Sequence, residues 1–80
     1  MEKEIIIDNK CGGIINTVRM MMNCSQAEFG KKIGLDQPSV CRIERRQVMP
    51  NEAVLERIAH LAGVSVYQLT GQEPIDYSRI

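Results

Sequence analysis

Apolar residues recur along this chain at helical spacing. From Ile14 onward, Ile15, Val18 and Met22 share one face and predict a first helix ending near Asn23. Gly12 and Gly13 read as an interruption before it. Phe29 and Ile33 give a second short helix its apolar side, and Val40 and Ile43 do the same for a third. Val54, Leu55, Ile58, Leu61 and Ala62 point inward from a fourth. Residues 4–7 (Glu4-Ile5-Ile6-Ile7) break the pattern; short and β-branched, they predict a strand or an arm.

The polar positions between these faces act as starts and stops. Ser25-Gln26-Ala27-Glu28 is a capping box, in which the serine hydroxyl accepts from the Glu28 amide and the Glu28 side chain reaches back. Gly34 can take the left-handed conformation that a helix C-terminus favours, Asp36 can cap the third helix, and Pro38 falls in its first turn, where a missing amide hydrogen matters little. Met49-Pro50 closes the next loop, Asn51 opens the fourth helix and Gly63 ends it. Ser65-Val66-Tyr67-Gln68 is a second capping box, for a short fifth helix through Thr70 and Gly71; the tail beyond Pro74 has no assignment. The expectation is an all-α fold, a compact bundle of about five short helices. Residues 1–12 form an N-terminal arm (a short strand or disordered), 13–71 the domain and 72–80 a C-terminal tail.

Composition narrows the function. Eighty residues leave room for one domain. No apolar run is long enough to span a bilayer, and the start Met1-Glu2-Lys3-Glu4 is unlike a signal peptide, so no membrane association and a cytoplasmic location are expected. Cys11, Cys24 and Cys41 are odd in number and unpatterned, which predicts reduced thiols. With His60 the only histidine and no cysteine pair at ligand spacing, no metal and no cofactor are expected. No nucleophile–base set or phosphate loop suggests an enzyme. The Met20-Met21-Met22 run reads as core and shell packing. Net charge is zero, which argues against a nucleic-acid partner until its distribution is considered. Residues 19–47 hold six basic side chains against three acidic, and the remainder four against seven, so one segment faces phosphate favourably.

That segment contains the second and third helices, joined by a tight turn in a helix-turn-helix arrangement whose second member lies in the DNA major groove. On a wheel at about 100° per residue, Val40 and Ile43 fall on one side of the third helix. Pro38, Cys41, Arg42 and Arg45 fall opposite, with Gln37 and Arg46 at the edges. Arginine pairs with guanine O6 and N7, and glutamine with adenine N6 and N7. Beside Arg42, Cys41 has two readings: a small residue that permits close approach, which is favoured, or an oxidisable thiol.

Residues 14–71 resemble a lambda-repressor-like helix-turn-helix domain of the Xre type. The matching stretches are Ser25-Gln26-Ala27-Glu28-Phe29-Gly30, Ile33-Gly34-Leu35, Ser39-Val40-Cys41-Arg42-Ile43-Glu44, Pro50, and Leu61-Ala62-Gly63-Val64-Ser65. The resemblance implies operator binding, usually as a dimer. It implies base readout by Gln37, Pro38 and Arg42, to which the groove-facing Cys41 is added. Phosphate contacts fall to Gln26 and to the loop residues Arg45, Arg46 and Gln47, with Ser39 added. It also implies that Arg19 bridges Glu44 as a structural ion pair, and on the wheel Glu44 flanks the buried side. Three positions depart from the family pattern: Gly30 stands where a small alanine is usual, Arg46 where a glycine is common, and Pro38 has no polar group to offer a base.

Together these features point to a sequence-specific double-stranded DNA-binding transcriptional regulator, a repressor or autoregulator. Its recognition helix is about 37–45, and it acts as a homodimer on a palindromic operator. The alternative is a protein-interaction module on the same scaffold, the partner-binding part of a toxin–antitoxin or phage system; the neutral net charge, Pro38 and the apolar arm favour it. The dimer interface is expected around the fifth helix and tail, with Val66, Tyr67 and Ile75 exposed.

Overall fold

The computed structural model describes residues 3–80, so Met1 and Glu2 of the expected arm lie outside the described residues. Five α-helices follow in order: α1 (Lys10–Met21), α2 (Gln26–Ile33), α3 (Gln37–Glu44), α4 (Glu52–Ala62) and α5 (Val66–Leu69), with a 3-10 turn at Tyr77–Arg79. The described residues contain no strand.

Local chemistry sets the helix ends. Both capping boxes form: Ser25 Oγ accepts from the Glu28 amide at 3.1 Å while the Ser25 amide donates to Glu28 Oε1 at 2.9 Å, and Ser65 and Gln68 repeat the exchange. Asp36 accepts from the Ser39 amide and Asn51 from the Val54 amide, each at 2.9 Å. Gly34 and Gly63 close α2 and α4 at φ of 77° and 72°. Arg57 of α4 adds a tie that the sequence pattern does not reveal. Its Nη1 donates to the Ile33 carbonyl at 3.1 Å, placing a cation at the C-terminal end of α2.

The start of α1 differs from expectation. The helix begins at Lys10, before Ile14, and runs through both glycines. Gly12 is buried where α1 crosses α3, and a Cβ there would collide with the Ile43 backbone carbonyl. The residue that reads as a helix breaker therefore permits a close backbone approach. Its weak helix propensity is overridden by that packing.

The core gathers Cys11, Ile15 and Val18 from α1, Phe29 and Ile33 from α2, and Val40 and Ile43 from α3. Val54, Leu55, Ile58 and Ala59 of α4 and Leu69 of α5 complete it. Leu61 and Ala62, expected inward, pack half-buried against this core, and Ala59, not singled out by the pattern, is buried. The methionine run also departs from expectation. Met22 packs on the core, but Met20 and Met21 are 60% and 44% exposed, because the period of Cys11, Ile15, Val18 and Met22 turns them outward.

Residues 3–7 are held without forming a strand. The Ile6 amide donates to Gln72 Oε1 at 2.9 Å, and Gln72 Nε2 donates to the Glu4 carbonyl at 2.7 Å. Tyr67 donates its hydroxyl to the Lys3 carbonyl at 2.8 Å, and the buried Thr70 hydroxyl donates to Gln72 Oε1 at 2.7 Å. Ile7, Val66, Ile75, Tyr77 and Ile80 pack against the core. Val66, Tyr67 and Ile75 are thus half-buried and engaged within the chain, contrary to their expected exposure.

Candidate nucleic-acid interface

α3 carries the residues that the sequence singles out, and its two sides differ sharply. Val40 and Ile43 enter the core, while Gln37, Pro38 and Arg42 are exposed and Ser39 and Cys41 half-buried. Arg45 caps the helix, and Arg46 and Gln47 follow on an exposed stretch. Ser39 and Arg42 border a groove completed by Leu35, Val48, Met49, Pro50 and Val54.

One charged group fixes the other edge of α3. Glu44 has a side chain only 4% exposed and meets Arg19 of α1, itself 15% exposed. The pair is bidentate: Arg19 Nε donates to Glu44 Oε2 at 2.7 Å and Nη2 to Oε1 at 3.1 Å. Nη1 of Arg19 donates to the Cys24 carbonyl at 2.7 Å, directed there by a turn in which Asn23 has φ 57°. Asn16 Nδ2 donates to Glu44 Oε1 at 2.7 Å and Gln26 Nε2 at 3.2 Å. Burial pushes the Glu44 carboxyl up, and the bonds from Arg19, Asn16 and Gln26 outweigh it, leaving its pKa below the ordinary glutamate value. The same pairing holds the Arg19 guanidinium above its ordinary value, against the opposing effect of burial.

Asn16 and the Cys24 carbonyl were not legible as members of this network. The usable signal for Asn16 is its place three residues before Arg19, on the same face of α1. Gln26 also has more partners than a phosphate contact requires. Its Oε1 accepts from Gln37 Nε2 at 2.7 Å, joining α2 to the exposed start of α3.

Arg46 is set apart from the other basic residues of this segment. It adopts φ 64°, the left-handed region that explains why a glycine is common there. Its side chain runs back over Gly12 and Gly13 and lines a separate groove with Lys10, Ile14, Thr17 and Tyr77. Gly30 likewise has a local reason: a Cβ there would collide with the Leu35 carbonyl as the chain turns toward α3.

Among the described residues, no group of three histidine, cysteine or acidic side chains is placed to hold a metal ion, and no helix is long and apolar enough to cross a membrane. A short capped helix, a glycine turn and a second helix anchored on one side and polar on the other define the helix-turn-helix class. The chain belongs to the helix-turn-helix family of the lambda-repressor-like Xre type, which it matches over residues 15–69. A solved structure of the P22 c2 repressor protein in complex with a synthetic operator is similar to this chain at a TM-score of 0.73 and 24% identity. The similarity covers 79% of this chain and 96% of that one, and it concerns the fold. No curated protein gives a significant match.

Proposed function

We propose that this protein is a sequence-specific double-stranded DNA-binding regulator of transcription that inserts α3 into the major groove. The observation that carries this reading is the two-sidedness of α3. Val40, Ile43 and Glu44 lock it to the body, while Gln37, Pro38, Cys41 and Arg42 face outward on one short helix. Arg42 and Gln37 have the donor patterns that read guanine and adenine edges, and Pro38 and Cys41 are small enough to let the helix approach. Ser39, Gln26, Arg45 and Gln47 flank this face as phosphate contacts, and Arg46 reaches phosphate from the first turn of α1. The P22 c2 repressor, whose fold this chain shares, is itself bound to an operator, which supports the reading. The protein acts by binding, as a repressor or autoregulator in the cytoplasm.

An eight-residue helix is about 12 Å long, enough to read only a few base pairs. We therefore infer a homodimer on a palindromic operator with half-sites one helical turn apart. Selection of bound duplexes from a random pool tests this. The expected result is a palindromic motif whose affinity falls steeply with salt. Arg42→Ala should cost about 1–3 kcal/mol and relax one position, whereas Arg45→Ala should weaken all sequences alike and lower the salt slope by about one. No enrichment, with weak and salt-insensitive binding, would sink the reading and leave a protein-interaction module.

A further inference from the structure

We propose that the N-terminal arm is the interface to a second copy of this chain, the two arms pairing as an antiparallel ribbon with Ile6 on the two-fold axis. The proposal rests on the homodimer inferred above and names the contact that holds it. The Gln72 carboxamide engages the arm as a peptide group of a parallel strand would. It donates to the Glu4 carbonyl at 2.7 Å and accepts from the Ile6 amide at 2.9 Å, either side of Ile5. In extended chain the backbone groups of alternate residues point to opposite edges, so those of Ile5 point away from Gln72. Burial follows the same period of two: Ile5 and Ile7 are half-buried, Glu4 and Ile6 exposed. Among the described residues, Ile5 and Ile7 make no backbone hydrogen bond.

The arm thus has one satisfied edge and one free edge. The free edge carries no proline, and its three β-branched residues in a row favour pairing with another chain. Ile6 is 54% exposed, an apolar side chain that its own chain leaves in water. A second copy is the partner because the edge is complementary to itself. With Ile6 facing Ile6 of the second copy, the N–H and C=O of Ile5 meet those of the second copy's Ile7, and the reverse, which uses the groups left free. Ile6 then falls at a non-hydrogen-bonded pair, where side chains approach most closely, and is buried against its mate. Glu4 comes opposite Asp8 of the second copy, whose charge Lys10 already answers at 3.7 Å. The residues expected at a dimer interface are spent elsewhere: Val66 and Ile75 pack on their own core, and Tyr67 bonds the Lys3 carbonyl.

The test is sedimentation of the full chain without DNA, native and as Ile6→Lys, which keeps the amide that Gln72 holds and sets like charges on the axis. The native chain should sediment as a dimer, and Ile6→Lys should raise the dimer dissociation constant by about tenfold or more. Thermal melts confirm that the variant is folded. Oxidation of Ile6→Cys should give an interchain disulfide, since the Cβ atoms of such a pair lie close to disulfide reach. Glu4→Cys lies on the same exposed face but places the two thiols about 14 Å apart. It should cross-link no more than the background set by the native Cys24 and Cys41. A monomeric native chain, a dimer unaffected by Ile6→Lys, or cross-linking of Ile6→Cys no greater than that of Glu4→Cys would each overturn the arm pairing. None of these results touches α3, so the DNA-binding reading is judged apart from them, by whether the native protein selects a duplex.

Discussion

Glu44 is a charge taken almost wholly out of water, with its two oxygens shared among Arg19, Asn16 and Gln26. Deleting one member of such a pair leaves the other desolvated and uncompensated, a loss of about 3–5 kcal/mol. At about 4–8 °C per kcal/mol for a domain this size, Glu44→Ala should lower the melting temperature by more than about 10 °C. The same carboxylate predicts acid sensitivity. Its folded pKa is depressed, so the unfolded chain takes up the proton first as pH falls. Its contribution is complete above the ordinary glutamate value and is lost as pH drops through the lower, folded one. Glu28, held down by the Ser25 amide and hydroxyl, and Asp36, held down by the Ser39 hydroxyl and amide, act in the same direction. Melting temperatures should therefore fall steadily below about pH 4.5, and Glu44→Gln should flatten that decline.

At the scale of the element, the glycines separate two physical causes. Gly12 and Gly13 are neighbours in one helix, and alanine at either would gain about 1 kcal/mol of helix propensity. At Gly12 the added methyl meets the rigid Ile43 carbonyl, so Gly12→Ala should destabilise by about 1–3 kcal/mol. At Gly13 it meets only the mobile end of Arg46, at 2.8 Å, so Gly13→Ala should be neutral or stabilising. Denaturant midpoints for the two variants decide the matter; equal effects would refute it. This contrast marks the limit of what the chain reveals when read alone. Ser25, Asp36, Asn51 and Ser65 announce helix starts because a cap is local chemistry, and Val40 with Ile43 announces the buried side of α3 by period. What a glycine is for depends on a carbonyl some thirty residues away, which no local pattern encodes. The outward-facing residues of α3 were likewise legible, whereas the ties from Asn16 and from Gln26 to Gln37 appear only once α1, α2 and α3 are brought together.

Across the whole molecule, one side chain ties the N-terminal arm to the segment that follows α5. The Gln72 amide bonds the backbone at Glu4 and Ile6 and accepts from the buried Thr70, much as a neighbouring strand would. Gln72→Ala should free residues 3–7 while leaving α1–α4 intact. Hydrogen exchange would read this as loss of protection at the Ile6 amide, with the Phe29 amide unchanged; protection retained at Ile6 would show that Tyr67 and Ile7 suffice to hold the arm. The crossing of α1 and α3 has a different kind of consequence. At Gly12 one peptide backbone lies directly on another, with no side chain between them to swell, shrink or change rotamer. The tilt of α3 is thus inherited from main-chain geometry. Its outer surface can be rewritten by mutation to address new sequences, and much of the core can drift, while the pose in which that surface is presented stays the same for as long as position 12 carries no side chain.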